Sequence, residues 1–173
     1  MPGGHPGAPD PYRYCPQCGT PLQHGEGPEG RPHCTRCGYI RYRNPAVGVA
    51  VVLQDEEGRV LMGRRAGGEY AGLWCIPCGY VEWSEEIRHA GVREFREETG
   101  IEVELGEIVA VHSNFHNPKL HTVGVWFRGR AAEGEPRPAD GEFSELAYRD
   151  PASPPPLAFP TDALVLAQLA SGG

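Results

Sequence analysis

The chain has 173 residues, of which 39% are hydrophobic, enough for one ordinary domain with a single core and a small appendage. Its formal net charge is −7 and its isoelectric point is near 5.5. This acidic balance argues against a nucleic-acid partner bound through a large basic surface, but it is compatible with a small nucleotide, because a divalent ion can supply positive charge. No apolar run approaches membrane-spanning length and no secretion signal is evident, so we expect a cytoplasmic protein with no membrane partner.

The first part of the chain predicts a small metal-binding unit. Residues 1–11 are rich in proline and glycine and are expected to be disordered. Four cysteines then follow in a C-x2-C-x15-C-x2-C pattern: Cys15, Cys18, Cys34 and Cys37. Two such pairs supply the four thiolates of tetrahedral Zn²⁺, and a site with four protein ligands is structural because no position stays open. We predict a zinc ribbon over residues 12–43, with two disulfides as the alternative.

The rest of the chain alternates between strand-like and helical patterns. The run VGVAVVL after Ala46 is typical of a strand buried on both faces. The predicted strands span residues 46–53, 59–65, 73–77, 103–113, 122–130 and 143–148. A terminal helix capped by Thr161 would bury Leu164, Leu166 and Leu169. With a second helix described next, these elements predict a mixed sheet with helices on its two faces, an α/β/α sandwich over residues 44–173.

A second helix is predicted from Glu85 to Thr99. Ser84 is a suitable N-cap, and Gly100 is placed to end the helix. Its first half carries an apolar face, formed by Ile87, Ala90 and Gly91, that we expect to pack inward.

The same helical face continues into Glu94 and Glu98, with Glu97 beside them. Like charges at these spacings repel by about 0.2–0.5 kcal/mol per pair in water, so a positive group is expected among them. A hard divalent cation, Mg²⁺ or Mn²⁺, fits because it takes carboxylate oxygens and shares its other positions with substrate phosphates. Arg93, one turn before Glu97, would hold that carboxylate in its ligating rotamer. The alternative interpretation is a solvated surface helix with several ion pairs.

The stretch from Gly79 to Ile101 resembles the Nudix box, G-x5-E-x7-R-E-U-x-E-E-x-G-U, in which U is aliphatic or aromatic. Every fixed position of the box is met: Gly79, Glu85, Arg93, Glu94, Phe95, Glu97, Glu98, Gly100 and Ile101. A zinc ribbon followed by such a domain is similar to the arrangement of NADH pyrophosphatases and of some FAD or ADP-ribose pyrophosphatases. The resemblance implies an enzyme that hydrolyses the pyrophosphate bond of nucleoside diphosphate derivatives and releases two monophosphates.

The resemblance also implies the ligands of the catalytic ions. Glu94, Glu97 and Glu98, with the backbone carbonyl of Gly79, would bind Mg²⁺ or Mn²⁺, and Arg93 would orient the carboxylates. These ions would neutralise the diphosphate and activate a water molecule.

The catalytic base is left open by the resemblance. Glu94 is one candidate, and an acid on a later loop, Glu142 or Glu145, is the other. Glu85 would have a lesser or indirect part. The resemblance is compatible with a homodimer, since small Nudix domains often complete their sites across an interface.

The chain departs from the family pattern at two places. Pro77-Cys78-Gly79 stands where many members have Pro-Gly-Gly, and we interpret Cys75 and Cys78 as packing residues. Residues 113–118 differ from the NADH-specific motif, which leaves the substrate open. Six ring-bearing side chains have no assigned role. Phe115, Trp126 and Tyr148 would either stack on a base or belong to the core, and His112, His116 and His121 lie near the expected substrate edge.

Two other functions remain alternatives. One is a hydrolase of non-standard nucleoside triphosphates, which would release inorganic pyrophosphate. The other is a nucleotide-sensing regulator whose ribbon contacts a nucleic acid or a protein.

Overall fold

The computed structural model describes residues 10–25, 30–131 and 134–172. The chain forms two compact units, Met1–Pro45 and Ala46–Gly173. Most of the N-terminal segment that we expect to be disordered, residues 1–9, lies outside the described residues. In the part of the chain that is described, no helix is both long enough and apolar enough to cross a membrane.

The first unit is held by short backbone pairings around two cysteine turns. Antiparallel bridges join Tyr14 to Pro21, Gln23 to His33, and His33 to Ile40. Leu22 packs with the cysteines in a small buried cluster, and little other apolar surface is buried there. So small a core supplies little folding free energy, which leaves the cysteine cluster as the main organising feature.

The second unit contains, within the described residues, seven strands and two helices. In chain order these are β1 (Ala46–Leu53), β2 (Val60–Arg65), β3 (Trp74–Cys75), β4 (Cys78–Tyr80), α1 (Ile87–Thr99), β5 (Val103–Asn114), β6 (Thr122–Ala131), β7 (Phe143–Arg149) and α2 (Pro160–Ala170). The strands form a four-stranded sheet in the order β4-β1-β6-β5 and a three-stranded sheet in the order β3-β2-β7. The first sheet is mixed, because β1 pairs with β6 in parallel and with β4 in antiparallel orientation.

Strand β1 lies between the two helices. Val51 packs in one buried cluster with Phe95 of α1, whereas Val52 packs in another with Val165 of α2. Successive side chains of a strand point to opposite faces of its sheet, so the helices lie on opposite faces. The predicted α/β/α sandwich is confirmed, and its strands divide between two hydrogen-bonded sheets.

Of the strand predicted over residues 73–77, Trp74 and Cys75 form β3, and the separate strand β4 that follows was not predicted. β3 ends at Cys75 and pairs with β2, whereas β4 begins at Cys78 and pairs with β1. Pro77 lies between them, has no N–H to donate, and offers its carbonyl to the N–H of Val51. The chain therefore crosses from one sheet to the other at this proline.

Helix α1 begins two residues later than predicted. Its N-cap is Glu86, whose carboxylate accepts two backbone N–H groups of the first turn. Ser84, the predicted cap, has a φ of 66° and lies in a turn closed by hydrogen bonds between Glu82 and Glu85. Ser84 and Glu85, which were expected to start the helix, belong to this turn instead. The predicted end is confirmed, since Gly100 has a φ of 73° and caps α1.

Helix α2 agrees with the prediction in part. Leu166 is buried and Leu169 packs against the core, as predicted, whereas Leu164 is 55% exposed and Thr161 lies inside the helix and is not its cap. The buried face also includes Val165 and the polar residue Asp162. Two buried hydrogen bonds to Asp162 orient the helix, which apolar periodicity alone did not indicate.

The close contact between Gly63 of β2 and Phe143 of β7 provides a test of the packing. A Cβ atom at Gly63 would lie 2.6 Å from carbons of the Phe143 ring. Because this site is buried, Gly63→Ala should lower the free energy of unfolding by about 1–3 kcal/mol. Tryptophan fluorescence in urea measures this in the second unit alone, which contains all three tryptophans, Trp74, Trp83 and Trp126.

Gly67→Ala is the matched control. A Cβ atom at Gly67 meets no atom within 4 Å, so its free energy of unfolding should stay within about 0.5 kcal/mol of the wild type. A Gly63→Ala protein as stable as the wild type would contradict the predicted overlap.

Candidate active site

A cleft of about 400 Å³ opens beside β1, β4 and β6. Gly48 of β1 and Gly124 of β6 are cross-strand neighbours that line it, so this part of the sheet carries no side chain. The charged residues that line the cleft are Arg65, Glu82, Glu94, Glu142 and Asp162. Its volume is in the range of pockets that enclose a small organic ligand.

Glu98 is buried at the last turn of α1. Its exposed fraction is 1%, and neither carboxylate oxygen meets a hydrogen-bond donor in bonding geometry. Burial raises the pKa of Glu98 well above its usual range, the nearby acids Glu142 and Asp140 add to this shift, and the backbone N–H of Cys78 opposes it. An ionised carboxylate in such surroundings needs a cation or a proton.

Glu94 lies directly against Gly79. A Cβ atom at position 79 would overlap the Glu94 carboxylate, so the glycine leaves the space that this carboxylate fills. Burial raises the pKa of Glu94, and the Arg93 guanidinium opposes that shift. Glu94 also lines the cleft, which makes it a half-buried acid facing a ligand-sized space.

Arg93 lies among the other carboxylates of the box. Its guanidinium forms a two-bond fork with Glu85, at 2.8 and 2.9 Å, and lies 2.9 Å from Glu94 and 3.2 Å from Glu97. It also donates to the backbone carbonyl of Tyr80. The hydrogen bond from Arg93 lowers the pKa of Glu85 to about 2. Arg93 thus contacts Glu97, as expected, and contacts Glu85 more closely.

These surroundings fit a hard divalent cation. The donors are carboxylate oxygens and a backbone carbonyl, which Mg²⁺ and Mn²⁺ prefer. The buried oxygens of Glu98 have no other partner, and Gly79 keeps the neighbouring carboxylate in place. Among the described residues, however, the carboxylates of α1 do not form a preassembled group with ligand atoms within 4.8 Å of one another.

The two later acids proposed from sequence lie in different surroundings. Glu142 lines the cleft and pairs with Arg65 at 3.2 Å. Glu145 pairs with Arg64 and Arg149 and is not among the residues that line the cleft. The structure therefore brings Glu142, and not Glu145, to the cleft.

Of the six ring-bearing side chains, Trp126 and His116 line the cleft. His116 is joined by a 2.9 Å hydrogen bond to Tyr70 and lies near the ring of Phe159. Sequence reasoning missed Tyr70 and Phe159, because nothing in their local pattern distinguishes them from ordinary loop residues. Tyr148 packs against a core cluster and does not line the cleft.

Sequence reasoning also missed Asp162. This buried carboxylate of α2 accepts the backbone N–H of Ile76 at 3.1 Å and the indole N–H of Trp126 at 3.3 Å. Burial raises the pKa of Asp162 to about 7, and the two hydrogen bonds oppose the shift. An aspartate in the first turn of an otherwise apolar helix was the signal in the sequence.

Cys75 lies in the core, and Cys78 is partly buried and lines the cleft, consistent with the packing role expected for them. Cys75 is fully buried, and Cys78 packs against the cluster beneath α2. The hydrogen bond with Cys75 and burial raise the pKa of Cys78 well above its usual range, which describes an unreactive thiol. Among the described residues Ser84 alone has a positive φ without being glycine, so Cys78 needs no strained backbone.

The four cysteines of the first unit form a compact cluster. Their sulfur atoms all lie within 4.8 Å of one another: Cys15, Cys18, Cys34 and Cys37. Three sulfur pairs are separated by 3.5, 3.5 and 3.7 Å. A tetrahedron with Zn–S bonds of about 2.3 Å has sulfur–sulfur edges of about 3.8 Å, whereas a disulfide is about 2.05 Å long. The cluster fits a zinc ribbon and not a pair of disulfides.

Comparison with known proteins gives consistent matches. The NUDIX domain profile matches residues 44–169. A NUDIX hydrolase of known structure from Nitrosomonas europaea superposes with a TM-score of 0.73 at 28% identity, covering 92% of this chain and 89% of that chain.

Two curated relatives carry more specific names. The ADP-ribose pyrophosphatase of Methanocaldococcus jannaschii is 28% identical over 128 residues, which cover 73% of this chain and 75% of that protein. The NAD-capped RNA hydrolase NudC of Stutzerimonas stutzeri is 28% identical over 137 residues, which cover 79% of this chain and 48% of that protein. The chain thus spans about half the length of the NudC relative.

The raised pKa of Asp162 predicts a pH-dependent stability. The folded state holds a proton on Asp162 up to about pH 7, whereas the unfolded chain releases it near pH 4, so the folded state binds more protons in this window. The free energy of unfolding should therefore fall as pH rises through the window, by at most about 1.4 kcal/mol per pH unit from this group.

Asp162→Asn removes this contribution. Urea unfolding of wild type and variant between pH 4 and pH 8 should show a smaller decline for the variant. Parallel profiles would contradict the prediction and indicate that Asp162 stays ionised.

Proposed function

The chain belongs to the Nudix hydrolase family, and from this premise we propose that it hydrolyses the diphosphate bond of a nucleoside diphosphate linked to another group. ADP-ribose, FAD and NAD(H) are the leading substrates, and two monophosphates are the products. The observation that carries the proposal is the buried, unpartnered Glu98 beside a cleft-lining Glu94. The names of the two curated relatives, which concern ADP-ribose and an NAD cap, favour the same class of substrate.

In this proposal Glu94, Glu97, Glu98 and the carbonyl of Gly79 hold Mg²⁺ or Mn²⁺. The bound ions would neutralise the diphosphate and lower the pKa of a water molecule. Arg93 restrains the carboxylates of Glu94 and Glu97, since its guanidinium contacts both. Fixed ligands of this kind reduce the reorganisation needed when the substrate arrives.

Glu94 is our first candidate for the base that accepts the proton of the attacking water. Burial raises its pKa and so makes it a stronger base, and it faces the cleft. Glu142 is the second candidate, because it lines the cleft, but its carboxylate is engaged in an ion pair with Arg65. Glu85 is assigned a supporting role, since it binds the Arg93 guanidinium.

We assign residues 12–43 to a zinc ribbon and residues 44–173 to the Nudix domain. Four cysteine ligands complete a tetrahedral zinc site, so this ion would support the fold and take no part in the reaction. Thiolate ligands require a reducing compartment, in keeping with the cytoplasmic location expected from sequence. The homodimer stays a prediction.

Glu98→Gln tests the proposed role of the buried carboxylate. The substitution keeps the volume and removes the charge that would hold the ion, so turnover of ADP-ribose with Mg²⁺ should fall by ~100-fold or more. The unfolding transition in tryptophan fluorescence should persist, because a neutral amide replaces a carboxyl whose charged form is disfavoured by burial. Glu104→Gln, an exposed acid on β5, is the matched control and should keep wild-type turnover.

Product analysis separates the proposed function from its alternatives. A panel of ADP-ribose, FAD, NADH and nucleoside triphosphates, assayed with Mg²⁺ and with Mn²⁺, should yield two monophosphates from the first three. Release of inorganic pyrophosphate from triphosphates alone would indicate the triphosphate hydrolase. Tight nucleotide binding without turnover of any substrate would favour the regulator.

Metal analysis tests the ribbon. Purified protein should contain about one zinc ion per chain, and Cys34→Ala should lower this content to near zero. Cys75→Ala is the matched control, because Cys75 lies outside the four-cysteine cluster, and it should keep the zinc. Equal zinc in both variants would contradict the assigned ligands.

A further inference from the structure

Arg65 holds a distinctive position in the cleft. Among the described residues that line it, Arg65 is the one arginine or lysine, and four acids line the same cleft: Glu82, Glu94, Glu142 and Asp162. A diphosphate entering this space therefore meets one positively charged side chain of the chain itself. Ions held at the α1 carboxylates would offset part of the charge of the acids, and Arg65 is the fixed cation that the chain itself provides.

Arg64 and Arg65, the last two residues of β2, have side chains in different surroundings. The pairing of β2 with β7 shifts register between Arg64 and Arg65, a strand irregularity of the kind that re-aims side chains beside active sites. Arg64 donates to the carbonyl of Gly72 and lies 3.9 Å from Glu145. Its side chain is 49% exposed, whereas that of Arg65 is 22% exposed and lines the cleft.

The ion pair of Arg65 is suited to exchange. One guanidinium nitrogen lies 3.2 Å from a carboxylate oxygen of Glu142, whose side chain is 53% exposed. Such a half-exposed pair contributes little stability, so it is readily replaced. A guanidinium presents several N–H donors in a planar fork that matches phosphate oxygens, and a phosphate can engage more of them than this single contact does.

We propose that Arg65 binds a phosphate group of the substrate's diphosphate and that Glu142 gives up its ion pair when the substrate enters. This inference rests on the proposed function, because it concerns the same cleft and the same class of substrate. It makes Arg65 a determinant of affinity for the diphosphate, and it links substrate binding to release of the Glu142 carboxylate. Arg65 is a binding residue in this account and has no part in proton transfer.

The test measures binding of α,β-methylene-ADP, a diphosphate that cannot be hydrolysed at its bridge, by calorimetry with Mg²⁺ and with EDTA. Arg65→Gln should weaken binding by about tenfold or more in both conditions, as loss of a charge-assisted contact predicts. Arg65→Lys keeps the positive charge but lacks the planar guanidinium, so its affinity for the analogue should lie between those of the wild type and Arg65→Gln. Arg64→Gln is the matched control from the same strand and should bind as the wild type does.

A second variant separates phosphate binding from a merely structural role. If Arg65 serves only to hold Glu142 in place, Glu142→Gln should weaken binding of the analogue as much as Arg65→Gln does, and the inference is overturned. Under the proposed exchange, Glu142→Gln removes a competitor and should bind the analogue at least as tightly as the wild type. Urea unfolding followed by tryptophan fluorescence checks that each variant is folded. If Arg65→Gln does not fold, Arg65→Lys takes its place in the comparison with Glu142→Gln.

Kinetic measurements distinguish a failure of this inference from a failure of the proposed function. With ADP-ribose, Arg65→Gln should raise KM more than it lowers kcat. A wild type that hydrolyses none of the diphosphate substrates would contradict the proposed function, while the calorimetric comparison would still test Arg65. Equal affinity of wild type and Arg65→Gln for the analogue, or no binding by the wild type with Mg²⁺, overturns the inference about Arg65.

Discussion

A buried carboxylate without a hydrogen-bond donor is the feature on which the second unit depends. Glu98 is 1% exposed and lies on the buried side of the last turn of α1 with Phe95 and Thr99, so its side chain is shielded from solvent. An isolated charge in such a place is unfavourable, and the fold tolerates it if the group is protonated or meets a cation. In the proposed site, a bound metal ion would relieve this electrostatic cost.

Both units bring potential metal ligands together, and they differ in the ligand atoms. In the first unit four sulfur atoms approach one another around a core too small to fold well alone. In the second unit the donors are oxygens, and Arg93 lies among three of the carboxylates. Sulfur ligands select zinc, and oxygen ligands select magnesium or manganese. One chain can therefore carry a structural ion and catalytic ions without exchange between their sites.

Two arginines have different electrostatic roles in the candidate site. Arg93 is held by several acids at once, so it stays in place and orders its neighbours. Arg65 forms one ion pair, with the exposed Glu142, and its guanidinium also lies 6.0 Å from the centre of the Phe159 ring. That single ion pair is the contact exchanged in our proposal. Between β1 and β6, Gly48 and Gly124 line the cleft without side chains, and the ring of Trp126 packs over Gly124.

Local sequence was sufficient for the features that depend on spacing along one element. Cysteine spacing indicated the metal cluster, the apolar run of β1 indicated a strand covered on both faces, and helical periodicity placed Glu94 and Glu98 on the inward side of α1. Only the tertiary structure decided the start of α1, the burial of Asp162 and Val165 in α2, and the change from one sheet to the other at Pro77.

The tertiary structure also distinguished Glu142 from Glu145 and brought Arg65 into the cleft. Periodicity and spacing describe how residues recur along a single helix or strand, so they determined the composition of each element's faces. The remaining features arise from contacts between residues far apart in the chain, such as the hydrogen bonds of Asp162 to Ile76 and Trp126, which no local pattern encodes.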